Sequence, residues 1–133
     1  GGKALLFRKT QIGVDRLVQS LQRDRIAVEG IHGGMTQSQR SGVMKSFKEG
    51  RLKVLVATNV AARGLDIPEV SHVINYDMPQ NMEEYIHRIG RTARMEADGT
   101  AITFVTEWDM EMLDMIIDKV GDDLVRGTLP LYE

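Results

Sequence analysis

The stretch His87-Arg88-Ile89-Gly90-Arg91-Thr92-Ala93-Arg94 places a histidine and three arginines within eight residues. On a helix, His87, Arg91 and Arg94 fall at i, i+4 and i+7 and project from one face, with Tyr85, Ile86 and Ile89 turned elsewhere. Residues 85–95 contain no acid, so the arginines repel one another unless an anion lies between them. A solvated cluster is the plain alternative, and phosphate binding is the favoured reading. A second polar stretch, from Thr58-Asn59 to Ile67-Pro68, holds Arg63 and Asp66 on either side of Gly64. Arginine forks onto phosphate oxygens and aspartate accepts from a ribose hydroxyl. The same two residues also describe an internal ion pair capping a turn, which on chemistry alone is the simpler account. A third stretch runs from His32-Gly33-Gly34 to Gln39-Arg40. Thr36 or Gln37 can cap a helix there, Gln37 and Arg40 share a face at i, i+3, and the glycines let another chain approach closely. A helix N-terminus beside an arginine suits a sugar–phosphate backbone, and an ordinary capped helix explains the residues equally well.

Something must hold these stretches in place. Ala4-Leu5-Leu6-Phe7, Ile26-Ala27-Val28 leading to Ile31, Val54-Leu55-Val56-Ala57, Val73-Ile74-Asn75-Tyr76 and Ala101 to Val105 are apolar runs of strand length. Between them lie helical stripes: Val14, Leu17, Val18 and Leu21; Val43, Met44 and Phe47, stopped at Gly50; a segment from Met82 to Arg91; and finally Leu113, Ile116, Ile117 and Val120. Continuously apolar strands separated by helices predict a parallel sheet covered on both faces. Ligands of such sheets bind outside the carboxyl ends of the strands. Thr10, His32-Gly33-Gly34, Thr58-Asn59 and Asp77 all follow or end strands, so the binding edge is expected there.

The 133 residues amount to one domain, with 27% charged and 42% apolar residues, and no run long enough to span a membrane. There is no cysteine, and His32, His72 and His87 form no pair at metal-ligand spacing, so no metal site is expected. The net charge of −2 taken alone argues against nucleic acid. Its distribution does not: residues 1–64 hold twelve Lys and Arg against four acids, and residues 65–133 hold five against fifteen. A basic half and an acidic half are hidden in the sum. Trp108, Met110, Met112 and Met115 are read as completing the cover of the sheet together with Leu113 and Ile117, with a partner-binding stripe as the alternative. The chain opens on Gly1-Gly2-Lys3 and enters a strand at once, which predicts a piece of something longer, with 127–133 the start of a linker or tail.

Together, the residues from Leu5-Leu6-Phe7 and Thr10, through His32-Gly33, Gln37, Arg40, Thr58 and Arg63-Gly64-Leu65-Asp66, to His87-Arg88-Ile89-Gly90-Arg91 and the Gly99-to-Val105 strand closely resemble the C-terminal domain of DEAD-box RNA helicases. The resemblance covers roughly residues 3–106. His87 at the head of its motif favours this group over the related DEAH group, where Gln is usual. Ala93 stands where the family usually has Gly, which leaves both flanking arginines in place.

The resemblance implies a three-layer α/β RecA-like domain with a mainly parallel β-sheet flanked by helices on both faces. It implies that Arg91 and Arg94 act as arginine fingers on ATP held by an N-terminal RecA-like domain. By the same resemblance Asp66 meets the ribose, Arg63 couples nucleotide to the domain interface, and His87 contacts the partner domain's acidic motif. Thr10, Gly33, Gln37, Arg40 and Thr58 would contact the RNA backbone without reading sequence. ATP and Mg2+ are the implied cofactors. The chain has neither a Gly-x-x-x-x-Gly-Lys-Ser/Thr stretch nor an Asp-Glu-Ala-Asp run. The isolated chain, expected to be monomeric, should therefore neither bind ATP tightly nor hydrolyse it. A cytoplasmic location is expected, or a nuclear one in a eukaryote. A related superfamily 2 DNA helicase domain and a stand-alone binding module are the competing readings.

Overall fold

In the computed structural model, strands and helices alternate along the described residues, which are 3–63, 65, 67, 70–89 and 100–120. The order is β1 (Ala4–Arg8), α1 (Gln11–Arg23), β2 (Val28–Ile31), α2 (Gln37–Lys48), β3 (Val54–Thr58), α3 (Asn59–Ala62), β4 (His72–Asn75), α4 (Met82–Ile89) and β5 (Thr100–Thr103). A 3-10 turn at Glu107–Asp109 then leads into α5 (Met110–Val120). The strands form one sheet in the order β2-β3-β1-β4-β5, and every pairing is parallel. The expectation of a mainly parallel sheet thus resolves into an all-parallel one.

Register explains the continuous apolar runs of the central strands β1 and β3. Leu5 stands between Leu55 and Val73, and Phe7 beside Ala57. This set packs with Met44 and Phe47 of α2 and Ala61 and Ala62 of α3. One residue along, Leu6 and Val56 face the other way and meet Val14 and Val18 of α1, with Leu17 and Leu21 packed alongside. The central strands β1 and β3 therefore bury both faces, the condition that removes the usual polar alternation, whereas the edge strand β5 is largely exposed. Among the described residues, no helix is long and apolar enough to cross a membrane.

Gly30 marks where α1 comes closest to the sheet. A Cβ at that position would stand 2.6 Å from Val14 Cγ1 and 3.0 Å from Val18 Cγ2. Both valines are buried and β-branched, so neither can step aside by changing rotamer. Gly30→Ala is expected to cost about 1–3 kcal/mol by overpacking. Urea unfolding checks this, and an unchanged midpoint would mean that α1 lifts from the sheet at no cost.

Two local features depart from the sequence reading. Ile26 and Ala27 precede the strand, and β2 begins only at Val28. Arg25 adopts φ 63°, its N–H donates to the Gln22 carbonyl at 3.0 Å, and the Ile26 N–H donates to the Leu21 carbonyl at 3.1 Å. This left-handed C-terminal motif usually uses glycine, as the end of α2 does at Gly50, and an arginine there signals nothing of the kind. In addition, Trp108 is 87% exposed, and Met110 and Met115 are exposed as well, so these residues do not complete the cover of the sheet. The phase of α5 turns Ile116 inward, with Leu113 and Ile117 beside it at helical spacing; Met115 falls off that stripe.

Candidate nucleic-acid interface

With all strands parallel, their carboxyl ends share one edge of the sheet, and the adjacency of β2, β3 and β1 decides what meets there. Gly33 follows β2, Thr58 ends β3 and Thr10 follows β1, so three residues far apart in sequence become neighbours in strand order. Thr10 and Thr58 do the same local work. Thr10 Oγ1 accepts from the Gly13 N–H at 2.9 Å to cap α1, and Thr58 Oγ1 accepts from the Ala61 N–H at 3.3 Å to cap α3. A hydroxyl has two acceptor sites and one hydrogen, so a capping threonine keeps its O–H to donate, for instance to a phosphate oxygen. Thr10 is exposed, whereas Thr58 is buried. At α2 the cap is Thr36, not Gln37. Its Oγ1 accepts from the Gln39 N–H at 3.1 Å, and the Gln39 side chain accepts from the Thr36 N–H at 2.8 Å.

Freed from capping, Gln37 is paired with Arg40: Arg40 Nη2 donates to Gln37 Oε1 at 3.1 Å. Arg40 Nε is buried and has no hydrogen-bond partner among the described residues. Arg40 lines a groove with Gln37, Ser41, Lys45, Lys48 and the acidic Glu49. An orphaned guanidinium N–H there is a donor awaiting an acceptor. Of the paired glycines, Gly34 is the more crowded: a Cβ would stand 2.9 Å from Gln11 Oε1, the movable end of an exposed side chain, and 3.0 Å from His32 Cε1. At Gly33 the nearest atom would be Gln11 Nε2 at an ordinary 3.4 Å. The Gln11 side chain, which the sequence reading passed over, therefore lies close to the Gly33-Gly34 loop. His32 braces the same loop. Its Nδ1 accepts from the Gly34 N–H at 3.0 Å, so the neutral ring carries its hydrogen on Nε2 and donates to Asp15 Oδ1 at 3.0 Å.

Next along the edge come the residues read as nucleotide-facing. Arg63 is exposed at the end of α3, where its backbone N–H donates to the Asn59 carbonyl at 3.2 Å. His87 is exposed on α4, on a different side from buried Tyr85. Burial raises the Tyr85 phenol above its usual pKa. Asp66, Arg91 and Arg94 lie outside the described residues.

Arg88 departs from the sequence expectation, which grouped it with Arg91 and Arg94 as mutually repelling charges. It is 3% exposed and turned into the protein. Nη1 donates to Asn75 Oδ1 at 3.2 Å and to the Asp77 carbonyl at 3.0 Å. Nη2 lies 3.6 Å from Glu84 Oε2, and the guanidinium sits 4.7 Å from the Phe7 ring centroid. Burial lowers the Arg88 pKa, and the charges of Glu84 and Asp77 oppose that shift. The i, i+4 spacing of Glu84 and Arg88 was the available signal, one residue outside the acid-free window. Asp77, for its part, ties β1 to β4: Oδ2 accepts from Arg8 Nε at 2.8 Å and from the Lys9 N–H at 2.7 Å.

Among the described residues no three His, Cys, Asp or Glu side chains converge as metal ligands would. Hydroxyl and cationic groups dominate this edge, and they fit the oxygens of phosphates.

Residues 1–96 match the helicase conserved C-terminal domain. The chain belongs to that family and, within it, to the C-terminal domains of DEAD-box proteins. Among its relatives is the ATP-dependent RNA helicase CshA of Listeria monocytogenes, 51% identical over 113 residues, which cover 85% of this chain and 22% of that protein. The Bacillus licheniformis CshA is 49% identical over 130 residues, 98% of this chain and 27% of the relative. The chain thus spans about a quarter of the length of these relatives. The solved C-terminal domain of the DEAD-box protein Dbp5 superposes with a TM-score of 0.81 at 39% identity, over 91% of this chain and 71% of that one. S. cerevisiae Dbp5 bound to RNA and ADP BeF3 gives 0.79 at 39% identity, covering 91% of this chain and 33% of that one.

Proposed function

We propose that this chain is one of two domains of an ATP-dependent RNA helicase and works only when joined to an N-terminal RecA-like domain. The supporting observation is the arrangement of the carboxyl edge. Capping hydroxyls at Thr10 and Thr58, the uncrowded backbone at Gly33, and the Gln37–Arg40 pair with its orphaned Nε stand at the ends of β1, β3 and β2 and on α2. Donors of this kind hold phosphates and sugars and leave the bases unread, so affinity without sequence preference follows. The 2′-hydroxyl adds the means to prefer RNA over DNA.

Beside this set, Arg63, Asp66, His87, Arg91 and Arg94 form the proposed nucleotide side. Asp66 is proposed to accept from the ribose, Arg63 to couple the nucleotide to the interface, and His87 to touch the partner domain's acidic motif. Arg91 and Arg94 are the proposed arginine fingers. ATP with Mg2+ would supply the phosphoryl group to be transferred, and the magnesium ligands are proposed to lie on the N-terminal domain. No membrane partner is proposed, and the isolated chain is proposed to be monomeric and inactive as an ATPase.

The test compares ATP turnover by the full-length protein with RNA and with DNA of equal sequence. Stimulation by RNA well above that by DNA is expected. Equal or greater stimulation by DNA would favour the DNA-helicase reading, and RNA-stimulated turnover by the isolated 133 residues would overturn the two-domain reading.

A further inference from the structure

Thr58 of the RNA-facing set caps α3, His87 of the nucleotide-facing set lies on α4, and a largely buried carboxylate joins these two elements. Glu84 has a side chain only 13% exposed. Its Oε1 accepts from Asn59 Nδ2 at 2.9 Å, and its Oε2 accepts from the Gln80 N–H at 2.8 Å while facing Arg88 Nη2. Its own N–H is held by Asn81 Oδ1 at 2.9 Å at the start of α4. Asn59 directly follows Thr58, and its carbonyl accepts the Arg63 N–H. Glu84 lies one helical turn before His87 and Arg88. A displacement of the Thr58–Asn59 turn therefore reaches α4 through one short hydrogen bond to a charged acceptor, a stronger link than a neutral one.

We infer that Glu84, with Asn59, is a positioning pair that transmits RNA occupancy at the Thr58 turn to the nucleotide-facing His87 carried by α4. The inference rests on the functional reading above. It assigns to Glu84 no contact with RNA or nucleotide. The energetics are those of linkage: if RNA and ATP strengthen one another's binding through this contact, each loses the same factor when the contact is cut.

The test uses the full-length protein and a fluorescent single-stranded RNA, titrated without nucleotide and with a non-hydrolysable ATP analogue. In Glu84→Ala, and separately in Asn59→Ala, RNA affinity without nucleotide should stay within about twofold, whereas the gain in affinity conferred by the analogue should fall by roughly 5-fold or more. The double variant should lose no more than either single one, because both cut the same link. Asn59→Ala removes no charge and keeps the test open should Glu84→Ala fold poorly. An analogue-induced gain that survives intact in Asn59→Ala, or losses that add in the double variant, would overturn the inference while leaving the helicase reading standing. An unsubstituted protein whose RNA affinity ignores the analogue would overturn both.

Discussion

Arg91→Ala and Arg94→Ala, each introduced into the full-length protein, are expected to lower RNA-stimulated ATP turnover by roughly 10³-fold or more. The size of the effect follows from where the charge develops. Phosphoryl transfer spreads negative charge over the oxygens of the moving group, and a guanidinium offers fixed, planar donors that gain strength as that charge appears. Such a contact is made in the transition state more than in the ground state, so the loss should fall mainly on kcat. Arg→Lys at either position keeps the charge without the fork, and should recover only part of the rate. Heat unfolding measured on the same samples separates lost chemistry from lost fold. Turnover left unchanged in both alanine variants would favour the stand-alone binding module over the helicase.

Arg88→Ala is expected to act on the fold instead, destabilising the domain by about 3–5 kcal/mol. The substitution strips Glu84 of its cation and removes the donor shared by Asn75 Oδ1 and the Asp77 carbonyl. It also empties space against Phe7, whose ring the guanidinium covers. Asn75 is fully buried and still has Thr103 Oγ1 as an acceptor at 3.0 Å, but its own side-chain oxygen would lose the Arg88 donor. Leaving such groups unpaired is costly because the surrounding interior cannot replace water. Arg88→Lys preserves one positive charge but cannot reach several acceptors as a planar fork does, so an intermediate loss is expected. Urea unfolding of the chain measures both. A loss below about 1 kcal/mol for Arg88→Ala would mean that water enters and takes over the vacated donors.

Much of the architecture was legible because it depends on local pattern. Leu5-Leu6-Phe7 and Val54 to Ala57 are apolar at every position, and only a strand buried on two faces asks for that. The glycine stop of α2 at Gly50 was legible for the same reason, its φ of 82° being one that glycine adopts freely. The start of β2 was not, since Arg25 takes up a left-handed conformation that its side chain does not advertise. Nor was α3, whose four residues are too few to show a helical period.

For the candidate site, sequence alone determined the composition and the order. Hydroxyls, glycines and arginines follow successive strand ends, and a parallel sheet brings those ends to one edge. The net charge of −2 decided nothing about nucleic acid, because charge acts from where it stands. Only the tertiary structure decided which way each polar side chain works. Arg88 belongs to the motif by spacing, yet it is buried against Asn75 of the preceding strand and Phe7, which lies far back along the chain. Glu84 meets Asn59 across 25 positions of sequence, a contact that no local pattern announces. Periodicity reports which residues share a helix face. Whether that face meets solvent or another strand is settled by the packing of elements distant in sequence, and neighbouring residues do not encode it.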